Sequence, residues 1–189
     1  MPLTHAILGF LDYQPMTGYD LKKIFDQSVA HFWSATQSHI YKALEALDKE
    51  GLVESQIILQ EGKPNRKQYQ ITGAGRAELH RWVTTPLPLE TTREAWLIQL
   101  FFSHFSSNEE IVALLKARAE NLRARLNALR SDASSSGDGS DGQAGVERMR
   151  QLWQLTRDYG IAYYQAELAW IEKTIESAHK LPRLEMPKQ

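Results

Sequence analysis

Thr36-Gln37-Ser38-His39-Ile40-Tyr41-Lys42-Ala43-Leu44-Glu45-Ala46-Leu47-Asp48-Lys49-Glu50-Gly51-Leu52-Val53 is the stretch on which the reading of this chain turns. Ile40, Ala43, Leu44 and Leu47 recur at the three-and-four spacing of one buried helix face. Thr36, or Ser34 just before it, can accept a backbone N–H bond and cap the start. Gly51 follows the periodic run, where a left-handed residue ends a helix with little strain. The opposite face carries Gln37, Ser38, His39, Tyr41, Lys42, Glu45 and Lys49. Its first turn and a half is neutral to basic and rich in hydrogen-bonding groups.

A helix face of this kind is commonly just solvated, so the next segment decides the reading. Leu52 to Leu59 is rich in Val, Ile and Leu, and Gln68 to Ile71 places Tyr69 and Ile71 on one face. Between them, Gly62, Pro64 and Asn65 mark a turn that carries Lys63, Arg66 and Lys67. A polar-ended helix joined to a basic hairpin suggests a winged helix-turn-helix. In that module the helix N-terminus meets base edges in the major groove and the wing lies along the phosphates.

Working outward, Leu3 to Tyr13 is too apolar for an exposed helix and is expected in a core or against a partner. Gln14-Pro15-Met16 breaks it. Thr17 and Asp20 form a capping-box pattern for a second helix, whose apolar side is Tyr19, Leu21, Ile24, Phe25 and Val29. Helix, break, helix, connector, helix and hairpin is the winged-helix order. Phe32-Trp33 in the connector reads either as a core plug or as part of a ligand pocket. Thr72 caps a fourth helix with Ala77, Leu79, Trp82 and Val83 on its buried side.

The expected division is a winged helix-turn-helix over 1–85, a proline-punctuated linker over 86–92 and a helical dimerisation domain over 93–180, with a tail over 181–189. Ser107 and Glu110 make a second capping box. A long helix follows with Ile111, Leu114, Leu115, Leu122, Leu126 and Leu129 on one stripe, and another runs from Val146 to His179. Residues 131–145, rich in Ser, Gly and Asp, read as a flexible loop. Helices this long favour a partner chain, and Leu152, Trp153, Tyr159, Tyr163, Leu168 and Ile171 are the expected dimer contacts, although an intrachain bundle is the plainer alternative. The fold class is mainly α with a small β-hairpin.

The 189 residues are 42% hydrophobic and 24% charged, as in ordinary globular proteins. No run of about 18 apolar residues is present, so no membrane span or membrane partner is expected. A signal peptide is not evident, and a cytoplasmic location fits. The absence of cysteine excludes disulfides, thiolate catalysis and cysteine-held metals. Glycine-rich phosphate loops, His-Glu-x-x-His motifs, calcium loops and nucleophile elbows are also missing, so neither enzyme activity nor a metal or other cofactor is expected. The net charge of −1 weighs against nucleic-acid binding. It keeps open a second reading, a protein-interaction or ligand-sensing scaffold with weak or lost DNA binding.

Pro2-Leu3, Thr17-Gly18-Tyr19-Asp20-Leu21 and Phe32-Trp33, then Ser38-x-Ile40-Tyr41-x-x-Leu44-x-x-Leu47-x-x-x-Gly51-Leu52-Val53 and Tyr69-x-Ile71-Thr72-x-x-Gly75, together resemble the PadR family of bacterial transcriptional regulators. The second half resembles the virulence-activator-like C-terminal domain of one branch. The resemblance implies a homodimer that binds double-stranded operator DNA, in many relatives a repressor released by a small, sometimes aromatic, effector. Tyr19, Gln37, Ser38, His39, Tyr41 and Lys42 are the implied helix contacts to DNA, with Lys63, Arg66 and Lys67 on the wing. Phe32, Trp33, Trp96 and Trp153 are a candidate effector pocket, the alternative being core and interface packing. The loop over 131–145 is longer and richer in Ser and Gly than the helix connection expected of the family.

Overall fold

The computed structural model describes residues 2–30, 32–59, 65–89, 91–135 and 144–182. The chain divides into two compact units, 1–90 and 91–189. The first contains α1 (Pro2–Tyr13), β1 (Met16–Thr17), α2 (Gly18–Ser28), α3 (Gln37–Lys49), β2 (Val53–Ile58), β3 (Arg66–Ile71) and α4 (Gly73–Val83). This is a winged helix-turn-helix.

Three helices bury their apolar sides against one another and against the sheet. Ile7, Leu8 and Leu11 come from α1, Leu21 and Phe25 from α2, and Ile40, Leu44 and Leu47 from α3. Val53, Tyr69 and Ile71 close the core from the hairpin. The sheet has the order β1-β3-β2, with both pairs antiparallel. The two-residue strand β1 has no sequence signature of its own; Met16 pairs with Tyr69 and Thr17 with Gln68. Through this pair the start of α2 is tied to the base of the wing.

The helix starts follow their capping residues. Thr17 Oγ1 accepts from the Asp20 N–H at 3.1 Å, and Asp20 Oδ2 accepts from the Thr17 N–H at 3.1 Å. Of the two candidates for α3, Thr36 is the cap, accepting from the His39 N–H at 3.3 Å. The end of α3 is a Schellman turn. Gly51 sits at φ +69°, its N–H donates to Asp48 O at 3.1 Å, and the Leu52 N–H donates to Leu47 O at 2.9 Å.

Two expectations for this unit are corrected. Phe32 and Trp33 do not plug the core, since they are 51% and 38% exposed. Phe25 and Phe10 already fill that space, their rings 5.8 Å apart. In α4, Ala77 and Val83 face outward. Its inner side is instead Gly75, Leu79 and the Trp82 ring, which stacks on His5 of α1 at 4.6 Å.

The second unit holds α5 (Ala95–Phe101), a 3-10 turn (Ser103–Phe105), α6 (Asn108–Ser135) and α7 (Ala144–Ala178). Ser107 and Glu110 form the expected box, with the Ser107 N–H donating to Glu110 Oε2 at 2.7 Å. α6 and α7 run antiparallel: Asn108 Nδ2 donates to Leu181 O at 2.8 Å, while Arg125 Nη1 donates to the Tyr164 hydroxyl at 3.2 Å. The seam buries Ile111, Leu115, Ala119, Leu122 and Leu126 against Tyr164 and Ile171.

Three further expectations change here. α6 continues to Ser135 and α7 begins at Ala144, so both ends of the expected 131–145 loop are helical. Extending a formed helix by a turn is far easier than nucleating one, so Ser and Asp are carried along. Residues 136–143 lie outside the described residues. Ile171 is fully buried inside its own chain and Leu168 packs beside it, so these two serve the α6–α7 seam rather than a partner.

Candidate nucleic-acid interface

The exposed surface of α3 follows from its buried one. At 100° per residue, burying Ile40, Ala43, Leu44 and Leu47 turns Ser38, Lys42, Glu45 and Lys49 directly outward. Gln37, Ser38, His39, Tyr41 and Lys42 are all exposed. The Thr36 and Ser38 hydroxyls lie 3.0 Å apart, so the cap also fixes Ser38. Glu45 follows Lys42 on the outward stripe and would repel phosphate, which confines an anion-facing patch to the first two turns.

Tyr41 is positioned by a glycine. A Cβ at Gly18 would lie 2.6 Å from Tyr41 Cε1, so the ring rests where any other residue at 18 would stand. Tyr19 beside it is 65% exposed. Both tyrosines thus belong to the junction of α2 and α3. Gly18→Ala is expected to push the Tyr41 ring aside; DNA affinity should fall several-fold while the urea midpoint moves little, and an unchanged affinity would remove Tyr41 from the interface.

On the wing the basic residues part ways. Lys67 Nζ reaches Asp48 Oδ2 at 3.2 Å and lies 5.0 Å from the Tyr69 ring centre. Ser55 Oγ donates to the same carboxylate oxygen at 3.0 Å. Asp48 thus clamps the hairpin to the last turn of α3. The hydrogen bond that Lys67 donates to Asp48 pushes the ammonium above its ordinary pKa, outweighing slight desolvation. Gln37, Tyr41 and Asp48 fall within roughly 40° of one another around α3, so the wing base is anchored on the Tyr41 side. Arg66 is exposed, with its backbone paired to Ile58. Lys63 lies outside the described residues.

A second junction sets how the helix passes into the wing. Leu52 O accepts from the Thr72 N–H and from Thr72 Oγ1, both at 3.1 Å, and Thr72 Oγ1 also donates to Gly51 O at 2.8 Å. Thr72 Oγ1 in turn accepts from the Gly75 N–H at 3.1 Å. A Cβ on Gly75 would meet Leu52 O at 2.1 Å. The end of α3, the end of β3 and the start of α4 therefore converge on one carbonyl.

This geometry has relatives. The model of the transcriptional regulator PadR-like family matches residues 7–81, and that of the virulence activator alpha C-terminal domain matches residues 92–178. The negative transcriptional regulator PadR of Bacillus subtilis is 33% identical over 128 residues, covering 67% of this chain and 70% of the relative. The chain belongs to the PadR family. A probable transcriptional regulator of Mycobacterium tuberculosis is 44% identical over 87 residues, a match that spans 46% of either protein. The crystal structure of B. subtilis PadR in complex with operator DNA has a TM-score of 0.80 at 25% identity, covering 94% of this chain and 99% of that one. The same relative in complex with p-coumaric acid has a TM-score of 0.71 at 24% identity, covering 94% and 95%. The family and these relatives are transcriptional regulators, not enzymes. Among the described residues, no helix of this PadR-family chain is long and apolar enough to cross a membrane.

The four aromatics expected to share an effector pocket do not gather at one place, since Trp96 and Trp153 stand apart within the second unit. Trp96 lies against Trp170, their ring centres 5.9 Å apart. Trp153 is on the same helix as Trp170 but 17 residues away, roughly 25 Å along the axis at 1.5 Å per residue. Trp96 and Trp153 therefore belong to different places. Phe32 and Trp33 lie in the other unit.

Proposed function

We propose that the chain is a homodimeric transcriptional regulator, acting as a repressor in the cytoplasm, whose hold on double-stranded operator DNA is tuned by a small effector. The observation that carries this reading is the exposed, capped start of α3, with no apolar side chain outward except Tyr41 and with α2 and the wing base both fastened on the Tyr41 side. Gln37, Ser38 and His39 read base edges. Tyr19, Tyr41, Lys42, Arg66 and Lys63 hold phosphates. The B. subtilis relative's operator complex supports the mode, and its p-coumaric acid complex supports a small aromatic effector.

The dimer rests on apolar side chains left uncovered in the second unit. Ile98, Phe101, Phe102 and Phe105 on α5 and the 3-10 turn are more than half exposed, as are Leu155 and Tyr159 on α7. Leu152, Trp153 and Tyr163 lie on the same helix with substantial exposure. An apolar surface of this extent marks an interface. Ile98 on α5 and Phe102 just after it join this surface without standing out in the sequence.

The wing offers the test. Arg66→Ala is expected to weaken binding to all sequences alike and to flatten log Kd against log salt by about 1.8, the release of one counterion from each protomer of the dimer at about 0.9 apiece. Lys67→Ala should leave that slope almost unchanged and lower the urea midpoint, because Lys67 is engaged by Asp48. Titrations by fluorescence anisotropy at several salt concentrations read both. If Lys67→Ala flattens the slope and Arg66→Ala does not, the wing assignment is reversed. A scaffold with little DNA binding draws support from Glu45 and from the clamped Lys67, and it predicts no preference for any sequence.

A further inference from the structure

In the second unit an open cleft of about 270 Å³ lies between the start of α5 and the middle of α7. Its walls are Trp96, Leu97, Tyr163 and Trp170, with Glu94 and Glu167 at the edge. The two indoles meet edge to face at 69°. Trp170 is 46% exposed, so the cleft can be entered from solvent.

The charges here do not balance. Among the described residues, Arg118 is the one cation in contact with both carboxylates. Its Nε and Nη2 donate to Glu167 Oε1 at 2.8 and 2.7 Å, and Nη2 stands 3.7 Å from Glu94 Oε2. Glu94 is otherwise satisfied: Trp96 Nε1 donates to Oε2 at 3.1 Å and the Tyr163 hydroxyl to Oε1 at 3.4 Å. Glu167 Oε2 is fully buried and has no hydrogen-bond partner among the described residues. That oxygen is closed to solvent, so what the cleft presents to a ligand is the surplus charge of two carboxylates against one guanidinium. Burial and the charges of Glu94 and Glu167 raise the Tyr163 pKa, against the opposing pull of Arg118, so the field at the cleft is negative. Indole faces attract cations, and the Arg118 guanidinium already lies 4.9 Å from the Trp96 ring centre.

We propose that this cleft binds an organic ammonium ion, its charge held at the edge beside Glu94 and Glu167 and its apolar body lying against Trp96 and Trp170, and that such a cation is the effector. This rests on the regulator reading above only for the word effector; the binding site stands on its own geometry. A carboxylic acid such as p-coumarate would bring a second uncompensated anion to the same place.

Three matched probes test it on the full chain: phenethylammonium, its neutral counterpart 2-phenylethanol and the anion 3-phenylpropionate. Calorimetry without DNA is expected to show saturable binding of phenethylammonium, at least tenfold weaker binding of the alcohol and none of the acid. Glu167→Gln, which keeps an acceptor for Arg118, should weaken phenethylammonium at least tenfold; Trp170→Leu, at a half-exposed position, should do the same without loss of fold. Anisotropy with DNA should then show a several-fold change in Kd on adding phenethylammonium. No saturation up to about 10 mM, an affinity too weak to matter, overturns the site, as does equal binding of acid and amine. Charge-selective binding with an unchanged DNA Kd overturns the effector role. Binding of the amine by a chain that ignores DNA would sink the regulator reading and leave the cleft assignment standing.

Discussion

Gly75→Ala is expected to destabilise the winged-helix unit by about 3 kcal/mol or more, the upper end of what overpacking costs. The new methyl would meet a backbone oxygen, Leu52 O, at 2.1 Å and Ile71 Cγ1 at 2.7 Å. A flexible side chain could swing away, but this carbonyl is held by the Thr72 N–H and hydroxyl, and the peptide it belongs to follows the Schellman turn of α3. Relief requires α4 to back away from the hairpin, which breaks the contacts of Ile71 and the Thr72 cap together. Equilibrium unfolding in urea measures the loss. A midpoint within error of the parent would show that α4 can slide freely and that the convergence on Leu52 O is not a constraint.

Phe101→Asp is expected to convert the proposed dimer to monomer and to weaken operator binding by about a hundredfold or more, because two half-sites would no longer be engaged through one linked body. Phe101 is 79% exposed in the single chain, so the substitution should not disturb the fold of its own unit. Sedimentation equilibrium reads the mass, circular dichroism the helix content and anisotropy the DNA affinity. A variant that stays dimeric at micromolar concentration would move the interface away from α5. A monomer that binds operator as tightly as the parent would remove dimerisation from the mechanism.

Much of the winged helix is legible in the amino-acid order because its local signals agree. Thr17 with Asp20, Thr36, Gly51 and Thr72 each mark a boundary by a hydrogen bond made within a few residues. The apolar periodicity of α3 then fixes which side faces out. What the order of residues hides depends on partners distant along the chain. Strand β1 exists only because β3 offers Met16 and Thr17 an edge. Gly18 and Gly75 look like ordinary glycines until Tyr41 and the Leu52 carbonyl are placed beside them. Lys67 reads as a phosphate contact from its neighbours in sequence, and only Asp48, 19 residues earlier, shows that it is engaged elsewhere. Phe32-Trp33 fails as a core plug for a related reason: the aromatic count of a segment does not reveal that Phe10 and Phe25 have already filled the space. In the second unit periodicity finds the helices but cannot tell which stripe of α7 faces α6, so Leu168 and Ile171 read as partner contacts although they pack within the chain.

The family membership and the exposed start of α3 meet in a single claim, that this chain reads operator DNA as a dimer. Fluorescence anisotropy with the DNA upstream of its own gene, at several salt concentrations and against scrambled competitor, tests that claim most directly. The account predicts tight binding, a steep loss with salt and a clear preference over the competitor, all three reduced by Ser38→Ala with Lys42→Ala. Weak binding with no preference, unchanged by those substitutions, would contradict it and turn attention to protein partners of the same surface.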